Sequence, residues 1–250
     1  MNSSNNTYGL SGSTLKLIAC VCMAIDHIGH HLLPEYDFLR VIGRIAFPIF
    51  AFLIAEGCRY TRNRLRYFLT IFLSGLLFFG ATYAFSGMVF YNVFLNFSLA
   101  IPCIYLLQYF KRLVFSGKLN AASIVGLSFA YALVLCAAYV TLKRFPAEYG
   151  FFGMLIPILV SFTHLREYTD SAAARYFDNH FIRVIITAIL LLPLHLSGRF
   201  SLQIFALLSM PFLLFYNGKV GTRRLKYFFY VFYPAHIAVI YAVKELFFNK

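Results

Sequence analysis

Leu15-Lys-Leu-Ile-Ala-Cys-Val-Cys-Met-Ala-Ile-Asp-His-Ile-Gly29 decides how the rest of the chain is read. Continued to residue 33, it approaches the about 20 apolar residues that a helix needs to cross a bilayer, yet it carries a carboxylate and an imidazole well inside. Runs of the same kind recur along the sequence. We expect spans at about 15–33, 41–58, 67–85, 92–110, 121–141, 149–165, 182–197, 200–216 and 227–247. The fold class expected is therefore all-α: one polytopic bundle of about nine transmembrane helices, preceded by a short polar tail over residues 1–14. Composition agrees, with 61% hydrophobic and 12% charged residues against about 25% charged in an average globular domain. No Gly/Ser linker or low-complexity tract divides the chain, so a single membrane domain spans 1–250.

The formal net charge of +13 would suggest nucleic acid in a soluble protein. Here Lys and Arg sit in short turns between apolar runs, which is the signature of topology, so no nucleic-acid partner is expected. Fifteen of the 22 basic residues fall on the side that holds Lys16, the Arg59 to Arg66 turn, Lys111 and the Lys219 to Lys226 turn. The positive-inside rule then places the N-terminus in the cytoplasm and the C-terminus outside. The tail lacks a basic n-region, so the first span is expected to insert and stay. All five cysteines lie in or beside apolar runs and read as small hydrophobes. Six prolines (Pro48, Pro102, Pro157, Pro193, Pro211 and Pro234) fall within spans, where each removes a backbone donor, and we expect kinks there.

The polar residues inside the spans carry the functional argument. A carboxylate near the centre of a membrane helix costs about 2.5 to 3.5 kcal/mol, so Asp26 should face a bundle interior or a wet cavity. His27 follows it, and an imidazole beside a carboxylate is suited to accept a proton near neutral pH. Arg44 and Glu56 share the second span but stand about 18 Å apart along a helix, too far to pair, and Asp26 is the evident partner for Arg44. Tyr233 and His236, beside Pro234 in the last span, read as cavity lining. His30 and His31 fall where the first helix exits, and no Cys or further carboxylate completes a tetrahedral set, so no metal is expected. Asn217-Gly218 reads first as a tight turn and second as a ligand contact.

Eight motifs together resemble the TraX family. They are Leu15-Lys-Leu-Ile-Ala19, Ile25-Asp-His-Ile-Gly29, Gly43-Arg-Ile-Ala-Phe-Pro-Ile-Phe-Ala-Phe52, Glu56-Gly57, Thr61-Arg-Asn-Arg64, Tyr149-Gly150, Phe215-Tyr-Asn-Gly218 and Phe232-Tyr-Pro-Ala-His236. The likeness is strongest over 15–70 and 203–240. The founding member of that family acetylates the N-terminal amine of conjugal pilin, so the resemblance implies a membrane acetyltransferase of the bacterial cytoplasmic membrane. It is also distantly similar to membrane acyltransferases that modify surface polysaccharides, where a first-helix histidine sits at the reaction centre. His27 occupies the comparable place.

With acetyl-CoA as co-substrate, the expected chemistry has His27, oriented by Asp26, take a proton from an amine or hydroxyl acceptor as it attacks the thioester. Arg44 or Tyr233 would stabilise the oxyanion. The CoA phosphates need cationic or N–H contacts, and Arg59, Arg62, Arg64, Asn217, Arg223 and Arg224 are the candidates on the cytoplasmic side. Membrane lipid surrounds the bundle, and the acceptor is a pilin-like amine or a surface glycan. A proton-coupled transporter would also bury Asp26, His27 and Arg44 in the membrane, whereas a non-catalytic membrane assembly protein, the other alternative, would need no buried acid and imidazole pair.

Overall fold

A computed structural model describes residues 9–86, 92–145, 147–196, 201–222 and 226–247. The described residues form α-helices α1 (Gly12–His31), α2 (Asp37–Gly43), α3 (Ala46–Tyr60), α4 (Arg64–Ser86), α5 (Val93–Phe115), α6 (Ala121–Arg144) and α7 (Gly150–Phe162). They continue with α8 (Ala172–Phe177), α9 (His180–Leu196), a 3-10 segment (Ser201–Ser209), α10 (Met210–Leu214) and α11 (Lys226–Phe247).

Five stretches are helical, long and apolar enough to cross a membrane: Gly12–His31, Asp37–Tyr60, Arg64–Ala84, Val93–Phe115 and Ala121–Arg144. Among the described residues these five are the full-length candidates, against the nine spans expected from hydropathy. Three of the other expected spans become shorter apolar helices, Gly150–Phe162, His180–His195 and Leu202–Leu214. The 13 residues of α7 rise about 20 Å, short of a hydrocarbon core about 30 Å thick. Hydropathy runs across helix ends without registering them, so it does not tell a full-length helix from a shorter one. The last expected span is α11, continuous over 22 residues.

The Asp37–Tyr60 segment is the axis of the bundle. Its most apolar window is 61% buried, whereas that of α6 is 6% buried, so α6 lies at the edge against α5 and α7 while α3 packs on α1, α5, α7 and the 3-10 segment. Helices run on through Pro102, Pro157, Pro193 and Pro234. The chain breaks at Arg44-Ile45, just ahead of Pro48. Pro48 cannot donate to the Arg44 carbonyl and crowds it, and just before it the Arg44 amide is shared between the Arg40 and Val41 carbonyls while the Ile45 amide turns to the tighter bond on Ile42.

At the N-terminal end of α1, residues 9–13 form a clasp with 215–222. Leu10 N–H donates to the Phe215 carbonyl, Asn217 N–H to Leu10, Gly12 N–H to Lys219 and Ser13 N–H to Val220. Gly221, with φ +82°, lies where a Cβ would collide with Ser13, so the close approach requires glycine.

Candidate functional site

The break at Arg44 turns a guanidinium into the bundle, where it is only 3% exposed. A buried arginine must be paired. Arg44 Nη2 donates to both carboxylate oxygens of Asp26, at 2.7 and 2.8 Å, and its Nη1 reaches Gln203 Oε1 at 3.5 Å. Arg40, one helical turn earlier, adds Nε to Asp26 Oδ1 at 3.0 Å and contacts His30 Nδ1 at 2.5 Å. Gly43 makes room, because a Cβ there would overlap the Asp26 side chain.

Asp26 therefore serves two arginines, and His27 is positioned by another group. His27 Nδ1 lies 2.7 Å from His236 Nε2, with the two rings stacked at 4.9 Å. His236 Nδ1 is 2.9 Å from the Phe232 carbonyl. A carbonyl only accepts, so His236 Nδ1 carries the proton, and in a neutral ring its Nε2 is then an acceptor. His27 Nδ1–H donates to it, which leaves His27 Nε2 with a lone pair, the form a general base requires. The sequence-based orientation by Asp26 gives way to orientation by a histidine 209 residues away, because the two arginines already occupy the carboxylate.

The turn between α6 and α7 brings two further residues. Glu148 and Tyr149 line a small cavity of about 30 Å³ together with Asp26, His27, Gly43, Phe47, Phe50, Val93 and Tyr233. Tyr149 stacks flat on Phe47. Asn96, fully buried, holds the turn from α5: its Nδ2 donates to the Gly150 carbonyl at 2.6 Å and its Oδ1 accepts from Tyr149 N–H at 3.2 Å. Glu148 lies outside the spans, and burial pushes its carboxyl up to about 7, with the Arg44 charge opposing the rise. It titrates where a proton-transfer group is useful.

A second cavity, of about 450 Å³, adjoins the first. Its walls run along α1 through Ser13, Lys16, Cys20 and Met23, which spans about 15 Å at helical rise. Tyr60, Arg62, Tyr216 and Thr222 stand at the clasp end, and Phe50, Val93, Phe94 and Tyr233 at the other. Met23, Phe50, Val93 and Tyr233 line both cavities.

Of the residues put forward for phosphate binding, Arg62 lines the large cavity. Arg59 pairs with Glu167, and Arg64 donates to Gln108 Oε1 at 3.0 Å. The Asn217 side chain donates to the Gly9 carbonyl and accepts from Lys219 N–H, so it fastens the clasp. Arg223 and Arg224 lie outside the described residues.

Glu56 also lines the large cavity and finds its partners in a region where sequence offered none. His164 Nε2 is 3.0 Å from Glu56 Oε1, Arg183 approaches the same oxygen at 3.8 Å and pairs with Asp178. Lys111 Nζ donates to the Ser161 and His164 carbonyls at 2.9 and 2.8 Å, where a cation suits a helix C-terminus. α7 is thus fixed at both ends, by this cluster and by Asn96, and so presents Glu148 at a set place.

Sequence reasoning missed Arg40, Glu148, Gln203, Asn96 and Lys16 as site-building residues. Arg40 carried a signal, standing one turn before Arg44, and Glu148 adjoins the matched Tyr149-Gly150 pair. Gln203 and Asn96 carried none, since a single amide in an apolar run does not reveal its partner.

The TraX protein family profile matches residues 11–244. The chain is 29% identical over 268 aligned positions to the probable fimbrial assembly protein FimC, serogroup H1, of Dichelobacter nodosus, covering 94% of this chain and 96% of that one. It is also 55% identical over 38 residues, 15% of each chain, to an uncharacterised protein of Rickettsia prowazekii (strain Madrid E). No solved structure matches the fold. A family match over nearly the whole length, on a helical bundle whose polar centre is built from the matched motifs around Asp26, Arg44 and His236, makes this chain a member of the TraX family.

Proposed function

We propose that the chain is an integral membrane acetyltransferase that moves an acetyl group from cytoplasmic acetyl-CoA to an amine or hydroxyl on an outer-face acceptor. One observation carries this reading: the large cavity leads from Lys16 and Arg62 to the residues around His27. Its long apolar wall suits a pantetheine arm, and its basic end suits phosphates. With the N-terminus cytoplasmic, that end opens to the compartment where acetyl-CoA is made, and Glu148 stands toward the outer side.

The thioester supplies an activated acetyl carbonyl. His27 Nε2 takes the acceptor's proton as its nitrogen or oxygen bonds to that carbonyl, and the C–S bond breaks to release the CoA thiolate. His236 holds the His27 tautomer and shares the imidazolium charge. The Tyr233 ring is fixed between Phe78 and Phe94, at 4.9 and 4.4 Å between centroids, and its hydroxyl is the oxyanion donor. Arg44, committed to Asp26, keeps the α1 to α3 crossing in place. Two acceptor classes follow from the resemblance and from the name of the Dichelobacter relative: a fimbrial subunit amine and a surface glycan hydroxyl.

Comparing intact masses of surface proteins and glycan extracts from deletion and complemented cells tests the reading. A 42 Da difference (one acetyl group, about 42 Da) that returns with the native chain and fails to return with His27→Ala supports it. Identical masses in all strains, or solute flux that needs no acetyl-CoA, would favour an assembly protein or a carrier instead.

A further inference from the structure

Among the described residues, Met23 of α1, Phe50 of α3, Val93 of α5 and Tyr233 of α11 are the ones common to the linings of the two cavities. They form a neck between a chamber of about 450 Å³ and one of about 30 Å³. A space of that smaller size holds about two water-sized atoms. Its far wall is rigid, because Phe47 and Tyr149 stack with planes 4° apart and Asn96 holds the Tyr149 backbone. Its near wall is stiffened by the Phe78 and Phe94 rings around Tyr233.

We propose that this neck and the small chamber set the length of the acyl group, admitting acetyl and rejecting longer chains. This specificity rests on the acetyl-transfer reading above. The pantetheine arm fills the large cavity and brings its sulfur to the neck, so only the atoms beyond sulfur enter beside His27. The methyl and carbonyl oxygen of acetyl match the space available. A four- or six-carbon chain must displace Phe47 and Tyr149, or fold back past Phe50 and Val93. Each methylene that does not fit costs about tenfold or more in discrimination.

Phe50 and Val93 are the residues whose truncation joins the chambers without touching the polar centre. The test uses purified full-length protein in detergent and saturable binding of tritiated acetyl-CoA, with unlabelled acetyl-, butyryl- and hexanoyl-CoA as competitors. No acceptor is needed. In the wild type, hexanoyl-CoA should compete at least about tenfold more weakly than acetyl-CoA, and Phe50→Ala should bring the two within about threefold of each other. Val93→Ala, a smaller change, should move the ratio the same way and guards against a Phe50→Ala protein that does not fold. Equal competition by all three thioesters in the wild type overturns the neck and leaves acetyl transfer standing, as does a wild-type ratio retained in whichever variants fold. An absence of saturable acetyl-CoA binding overturns the acetyl-transfer reading and the neck with it.

Discussion

His27 Nδ1 and His236 Nε2 lie 2.7 Å apart, joining the first and last long helices of the chain through two imidazoles whose tautomers follow from one backbone carbonyl. If that chain of donors sets the reactive form of His27, a side chain that can still accept at position 236 should preserve it in part. His236→Gln, whose amide oxygen can accept from His27 Nδ1–H, should retain more transfer activity than His236→Leu. With general-base catalysis worth about 10² to 10⁴ in rate, the two variants should be clearly separable by initial-rate measurements. Equal loss in both would place the role of His236 in packing.

Glu148 gives the site a pH dependence. Its carboxyl, pushed up to about 7 by burial, is ionised above that pH, and its charge in the lining it shares with His27 then favours the imidazolium that forms as His27 takes the acceptor's proton. Rate should fall as pH drops through about 7, and Glu148→Gln should remove that inflection, leaving a lower and flatter profile. The sign for stability is opposite. A folded carboxyl that holds its proton more tightly than the unfolded chain contributes stability below its unfolded value near 4.5, and this is lost as pH rises through about 7. Thermal unfolding of the Gln variant should show that part of the pH dependence removed.

Gly43 is a steric test of the Asp26 environment. A methyl at this position meets the Asp26 side chain, so Gly43→Ala should destabilise the protein by about 1–3 kcal/mol through overpacking and impair transfer by moving α1 away from α2. A wild-type melting temperature and rate would contradict the close crossing.

The basic end of the large cavity should govern donor affinity. Arg62→Gln and Lys16→Gln should each raise KM for acetyl-CoA by about tenfold, the scale of one hydrogen bond to a charged group, with little change in kcat. Arg59→Gln should act mainly on stability, since Arg59 is engaged with Glu167. Steady-state kinetics on the three variants separates these outcomes, and a KM effect confined to Arg59 would relocate the donor mouth.

The helical membrane character of the chain was legible because apolar runs of about 20 residues have few other uses. Helix lengths within those runs were less so. Hydropathy does not register where Gly150, at φ +54°, starts α7 or where Pro48 ends α2, and those local backbone events decide helix length. Among the site residues, Asp26 and Arg44 could be paired on paper because two opposite charges in neighbouring spans must meet. His27 could be singled out, but its partner could not, because His236 lies 209 residues away and an imidazole fits many partners. Glu56 illustrates the same limit. Its need for a counter-group was evident from burial of charge, while His164, in the turn after α7, and Arg183, in α9, lie outside the stretches of strongest likeness and more than 100 residues along the chain.

The most direct test of the account is transfer of radiolabelled acetyl from acetyl-CoA by purified protein in liposomes, supplied with a peptide bearing a free N-terminal amine and a surface-glycan extract. Wild-type protein should label one of the two, and His27→Ala, folded to the same melting temperature, should reduce labelling by at least about 10². Undiminished labelling by His27→Ala would contradict the central assignment of His27 as the base.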